Sequence, residues 1–157
     1  MKSKIWKVAF FLFTAVSLFW AVPAWTAPAD VSEAVGFIQK AEGKAAVVRQ
    51  GQTMPVYPGF KIWRNDTLQT GPDGSIAAVF QDQTLLSLGA DSTLSIDEYV
   101  FAPKKGKFSI VLKMLKGSAV YLSGLISKLA PDAARFETPS ASVGIRGTKF
   151  AVKVEGR

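Results

Sequence analysis

From Lys44 onward, apolar and polar residues follow one another in short runs broken by turn residues, and no long stretch keeps the spacing of a helix. Lys44-Ala45-Ala46-Val47-Val48-Arg49 reads as a strand ended by Gln50-Gly51-Gln52. Met54-Pro55-Val56-Tyr57 leads into Pro58-Gly59, and Phe60-Lys61-Ile62-Trp63 alternates before Asn65-Asp66. Thr67 to Thr70 stops at Gly71-Pro72-Asp73-Gly74, where Pro presets φ and Gly accepts a positive one. Ser75 to Phe80 and Thr84 to Leu88 follow, and Thr93-Leu94-Ser95-Ile96 alternates so that one face should be wet. Runs of this size, spaced by turn signals about every 8 to 12 residues, predict an all-β fold. We expect a single domain of short antiparallel strands, a sandwich or a solenoid-like roll, with one short helical segment.

Two segments stand apart from that pattern. Val31 to Ile38 suits either a helical turn or a first strand, whereas Leu125 to Ala130 places apolar residues for one or two helical turns before Pro131. Between Tyr99 and Phe108, the segment Val100 to Lys107 reads as a basic loop ahead of an apolar strand, Phe108 to Leu115. Lys104, Lys105 and Lys107 suit a solvated hairpin tip that protects a sheet edge better than an anion-binding site.

The N-terminus has a different organisation. Lys2, Lys4 and Lys7 precede an apolar run from Val8 to Val22 and then a Pro/Ala-rich stretch, Pro23 to Ala29. A basic start, an apolar stretch of about 7 to 15 residues and a small-residue end make a secretory signal. Ala27-Pro28-Ala29 suits cleavage before Asp30, and Val22-Pro23-Ala24 offers cleavage before Trp25. Residues 1–29 are therefore expected to be a signal peptide, 30–43 a lead-in, and 44–157 the β domain. The expected location is periplasmic or secreted. The alternative is an uncleaved inner-membrane anchor, because Ile5 to Val22 approaches the lower limit of a spanning helix, about 17 to 20 residues.

Charge adds little to this picture. The 157 residues carry 19 Lys+Arg against 12 Asp+Glu, a formal +7, but residues 1–29 hold three of the lysines and no acid. Residues 30–157 carry 16 against 12, or +4, which does not point to nucleic acid. Composition excludes more than charge does. The chain has no Cys and no His, which removes thiol nucleophiles, disulfides, imidazole bases and His-ligated metals together. Asp82, Asp91, Asp97 and Glu98 are the available acids for glycoside or calcium chemistry, yet each stands where a turn or strand end would place one. We expect no enzyme activity, no cofactor and no metal site.

One segment is more specific than the rest: Thr138-Pro139-Ser140-Ala141-Ser142-Val143-Gly144-Ile145-Arg146-Gly147-Thr148-Lys149-Phe150. Two glycines around an arginine in an apolar context suggest a bulge or a close backbone approach with Arg146 pinned at the turn. Arg146 would then either hold neighbouring strands together or present its fork to a partner's carboxylate or phosphate; we favour the structural role. The segment resembles the signature of the FecR family in Thr138, Pro139, Ala141, Gly144, Ile145, Arg146, Gly147, Thr148 and Phe150. Upstream, Gly43 to Arg49, Asp66 to Gly71, Phe80 to Gly89, Ser92 to Ile96 and Leu115 to Ser118 agree in order, so the resemblance runs from about Lys40. Asn65 and Gln83 stand where the family commonly has Gly; Asn65 also tolerates a left-handed φ, whereas Gln83 implies a different turn geometry for its hairpin.

The resemblance implies further strands after Phe150, so that a domain ending at Arg157 lacks its last strands or is a minimal version. It also implies a role in periplasmic signalling, since the regulator for which the family is named receives information from an outer-membrane transporter. We therefore expect an exported, non-catalytic module for protein interaction or signalling in the cell envelope. Its partner would be an envelope protein, with no stable membrane insertion once the signal is cleaved. The alternatives are a glycan- or peptidoglycan-associated module and an adhesive structural component. The first would use Tyr57, Phe60, Trp63, Tyr99, Phe101 and Tyr121 as stacking groups, which we read mainly as core. The second would use an uncovered edge at Ala151 to Val154 for strand addition.

Overall fold

Alternating strands hold together only if their apolar sides meet in one core, and the computed structural model, which describes residues 33–145 and 149–155, shows how this chain arranges that. Among the described residues there are twelve strands. The first six are β1 Gly36–Glu42, β2 Ala45–Arg49, β3 Gln52–Pro55, β4 Lys61–Ile62, β5 Thr67–Thr70 and β6 Ser75–Phe80. The others are β7 Leu85–Leu88, β8 Thr93–Ala102, β9 Lys107–Leu122, β10 Ala134–Thr138, β11 Ala141–Gly144 and β12 Lys149–Val154. One short α-helix, α1 Leu125–Leu129, follows β9. The fold is all-β with one short helix, as the pattern implied.

The 16-residue β9 organises the rest. Its first part pairs antiparallel with β8, from Ala102↔Lys107 to Thr93↔Lys116, and on the other side pairs parallel with β10. Its last part, Gly117 to Leu122, pairs antiparallel with β7 and with β12. Two wings therefore share one strand: β3-β2-β5-β8-β9-β10-β11 and β4-β1-β6-β7-β9-β12. β9 changes wing at Gly117, where φ is 93° and a Cβ would come within 2.5 Å of the Ser92 Cα. Only glycine fits there without strain. Buried Ser92 bridges the bend: its hydroxyl accepts from Ser118 N at 3.0 Å and lies 3.1 Å from Ser118 O.

The wings close over a core in which Ile38, Ile62, Ile76, Phe80, Leu86 and Leu88 face Val47, Leu68, Leu94, Ile96, Ile110, Leu112 and Met114, all buried. Each such side chain contributes about 1.5–3 kcal/mol. At the end of β9, Tyr121 stacks on Phe150 at 5.1 Å between ring centroids, and Phe136 meets Phe150 edge-on at 5.3 Å.

Of the two segments that stood apart from the strand pattern, Leu125 to Ala130 supplies α1. Of the two alternatives for Val31 to Ile38, a strand forms: Gly36–Glu42, within the segment read as a lead-in, pairs along β6. Val100, Phe101 and Ala102, read as loop, extend β8, because the ladder continues to Ala102↔Lys107 and the Phe101 and Phe108 rings pack 6.1 Å apart. Only a 3₁₀ turn, Pro103–Lys105, and Gly106 at φ 59° remain as the tip. Asn65 and Gln83 take left-handed φ of 68° and 67°, so the turn at Gln83 keeps the left-handed φ that glycine would supply rather than the different geometry expected of it. No helix among the described residues is long and apolar enough to cross a membrane.

Candidate functional site

The Thr138 to Phe150 segment divides between surface and core. Thr138 closes β10 and Ala141 opens β11. Thr138 Oγ1 accepts from Ala141 N at 3.0 Å and lies 3.1 Å from Ala141 O, which fixes the Pro139-Ser140 turn. β11 is exposed along its length, Gly144 included, and among the described residues a Cβ at Gly144 would meet nothing within 4 Å, so none of them makes the close backbone approach expected at that glycine. Ile145 turns inward, buried, with its N–H on Ala134 O at 3.0 Å, and Phe150 joins the aromatic cluster. Arg146, Gly147 and Thr148 lie outside the described residues, and so does the signal segment.

The four candidate acids do not gather. Asp91, Asp97 and Glu98 are exposed, whereas Asp82 is fully buried between the wings. Its Oδ1 accepts from Tyr99 OH at 3.1 Å and Thr84 N at 3.3 Å, and its Oδ2 from Thr84 Oγ1 at 2.8 Å and Ile126 N at 3.2 Å. Its own N–H donates to Tyr99 OH at 2.9 Å, and its carbonyl accepts Leu125 N at 2.7 Å. The Asp82-Gln83-Thr84 turn thus anchors the first turn of α1 and ties β8 to it. Burial, and then the nearby Asp82, push the Tyr99 hydroxyl far above the ordinary tyrosine range. Burial also raises Tyr121, with Thr84 and Ser127 opposing the shift. The carboxyl is saturated with donors from its own fold and has no exposed surface.

A second buried acid had no signal in the sequence as a site. Asp66, 1% exposed, holds Arg49 bidentately: Nε to Oδ1 at 2.8 Å and Nη2 to Oδ2 at 2.7 Å. Arg49 Nη2 also donates to Lys61 O at 3.1 Å, and Trp63 N donates to Asp66 Oδ2 at 2.8 Å. The guanidinium lies 4.1 Å from the Trp63 ring centroid and 5.7 Å from that of Phe60. The bond to Asp66 raises the Arg49 pKa further. Arg49 is thereby a clamp between β2 and the turn before β5, with its planar fork and stacking face both engaged.

The aromatic residues separate in the same way. Tyr99 and Tyr121 are buried, Phe60, Trp63 and Phe101 are half-buried, and Tyr57 alone of the six is exposed, edge-on to Phe60 at 5.4 Å. Lys104, Lys105 and Lys107 are exposed at the β8–β9 tip. Among the described residues, no group of three or more His, Cys, Asp or Glu is placed to hold a metal ion. Ala151 to Val154 lie in β12, which pairs with β9 on one side; among the described residues no strand pairs with its other side.

The outward faces of the two wings differ in chemistry. Across the β3-to-β11 wing, the register aligns Thr53, Val48, Thr67, Ser95, Lys113, Glu137 and Ser142, a row that is polar except for Val48. Across the β4-to-β12 wing it aligns Lys61, Phe37, Val79, Leu85, Leu122 and Lys149: four apolar residues with a lysine at each end. The adjacent row is Lys40, Ala77, Ser87, Val120 and Ala151. Phe37 is 44% exposed, Val120 38% and Leu122 37%. In each strand these residues stand in runs of consecutive apolar residues, such as Ala78-Val79-Phe80 and Leu85-Leu86, and the pairing gathers them into one row.

Comparison with known proteins adds three findings. The family model described as FecR protein matches residues 66–157. A solved structure described as a cell surface anchoring domain is 35% identical, over 39% of this chain and 82% of that one, with a TM-score of 0.38. No curated protein matches the chain.

Proposed function

The chain belongs to the FecR family, and from that premise we propose that it is an exported, non-catalytic β module that acts by binding another protein of the cell envelope, in a signalling role. The observation that carries this reading is how the fold uses its buried polar groups. Asp82 receives four hydrogen bonds from Tyr99, Thr84 and the start of α1, and Asp66 is fully engaged by Arg49 and Trp63. A general acid or nucleophile needs an accessible atom beside a space for substrate, and these carboxyls are committed to holding strands together. What the molecule offers outward, among the described residues, is extended sheet surface and the open side of β12, to which another protein can add.

A photocrosslinking amino acid placed in turn at Tyr57, Lys105, Val120 and Ser142, in cells that export the protein, tests the reading. Mass spectrometry of the adducts should return one envelope protein reproducibly from at least one position. Adducts with peptidoglycan fragments alone would overturn it in favour of a glycan-associated module.

A further inference from the structure

We propose that the outward face of the β4-β1-β6-β7-β9-β12 wing is the docking surface, and that it fits an envelope protein presenting an apolar strip with acidic side chains at both ends. The inference deepens the proposed function and rests on it. Phe37, Val79, Leu85 and Leu122 lie side by side on four adjacent strands, backed by Ala77, Val120 and Ala151 in the next row. The corresponding row on the opposite wing holds threonine, serine, lysine and glutamate, with Val48 its one apolar member. An apolar patch that crosses strands in this way marks a surface that another molecule covers.

Charge selects the occupant. Lys61 on β4 and Lys149 on β12 end the apolar row, and six strands at about 4.8 Å spacing put them about 24 Å apart along the sheet. Lys153 stands two residues beyond Ala151 on the same exposed side of β12. The acid on this face, Glu42, is engaged by Lys40 at 2.8 Å, which holds its carboxyl below the usual range. A second copy of the chain packed face to face would bring lysines against lysines, so self-association is disfavoured. A lipid surface takes a continuous apolar face that sinks about 5–10 Å, whereas here Lys40, Glu42 and Ser87 stand among Phe37, Val120 and Leu122 on the same face. A protein surface with carboxylates spaced to meet Lys61 and Lys149 satisfies both the apolar row and its ends.

The test places the photocrosslinker at Val120 in the exported full chain and maps the captured segment. A partner segment with apolar residues between two acidic groups is expected. The double variant Lys61→Glu/Lys149→Glu should lower the adduct yield by about tenfold without lowering the melting temperature. Changing the partner's two acidic groups to lysine should restore the adduct in that variant. An adduct with lipid, with a second copy, or with another part of the same chain overturns the proposal, and so does a yield that ignores the charge reversal. Protein adducts from Tyr57, Lys105 or Ser142 without one from Val120 would leave the interaction module standing and remove this face from it.

Discussion

Replacing Asp82 by Asn changes one atom type in a fully buried group, and the hydrogen bonds around it set the cost. In the better of the two amide orientations, the retained oxygen keeps the donors from Tyr99 OH and Thr84 N, now at 3.1 and 3.3 Å from Oδ1. The new NH₂ then stands where Oδ2 accepts from Thr84 Oγ1 at 2.8 Å and Ile126 N at 3.2 Å. Thr84 can turn its proton away and accept, but the Ile126 N–H cannot, so one buried backbone donor is orphaned beside a donor. An orphaned donor costs about 1–3 kcal/mol and a lost hydrogen bond about 1, giving about 2–4 kcal/mol in all. For a domain of this size that is a fall in Tm of roughly 6 to 20 °C. Circular dichroism melts, with urea midpoints at unchanged m-value, measure it. Asp82→Ala, which strands all four donors, should cost more than Asp82→Asn. A Tm for Asp82→Asn within about 2 °C of wild type would refute the claim that this carboxyl holds α1 to the sheet. If partner binding fell at unchanged Tm, Asp82 would belong to the functional surface instead.

The bend in β9 makes Gly117→Ala strongly destabilising, by more than the ~1 kcal/mol of an ordinary glycine replacement, because φ of 93° and the Ser92 overlap act together; soluble protein with a near wild-type melt would contradict this. Replacing Lys104, Lys105 and Lys107 with Ser should leave Tm nearly unchanged, since all three are exposed at a tip, and a large drop in the melt would show that the tip is packed. With the pKa of Tyr99 and Tyr121 raised in the fold, both stay protonated in the native state where unfolded tyrosine ionises. Stability they supply is intact below about pH 10 and is lost as pH rises from there toward their native pKa. Absorbance at alkaline pH should show their phenolates appearing with unfolding, and ionisation of all three tyrosines ahead of unfolding would be the contrary result. Arg146→Ala should lower melting temperature more than partner affinity; a wild-type melt with lost binding would assign Arg146 to the interface.

What the sequence determined by itself is local. Turns were legible because φ is set residue by residue: Gly71-Pro72-Asp73-Gly74 ends β5, Asn65 takes a left-handed φ, and Pro131 follows the short helix. Strands β5 and β6 were legible because alternate burial repeats every second residue, and the Thr138 to Phe150 segment was legible as a motif. Tertiary structure decided which strands meet, since pairing depends on partners far along the chain and leaves no mark in either strand alone. Asp82 finds its acceptor role only when Tyr99 and Ile126, 17 and 44 residues away, arrive beside it. Arg49 likewise reads as the polar end of a strand until Asp66 is folded against it. The apolar row from Phe37 to Leu122 takes one residue from each of four strands, and although each lies in a run of consecutive apolar residues, no run shows which residue of another strand it will stand beside. Register alone sets those residues side by side, because neighbouring strands share a face only after their hydrogen bonds fix which residue lies opposite which.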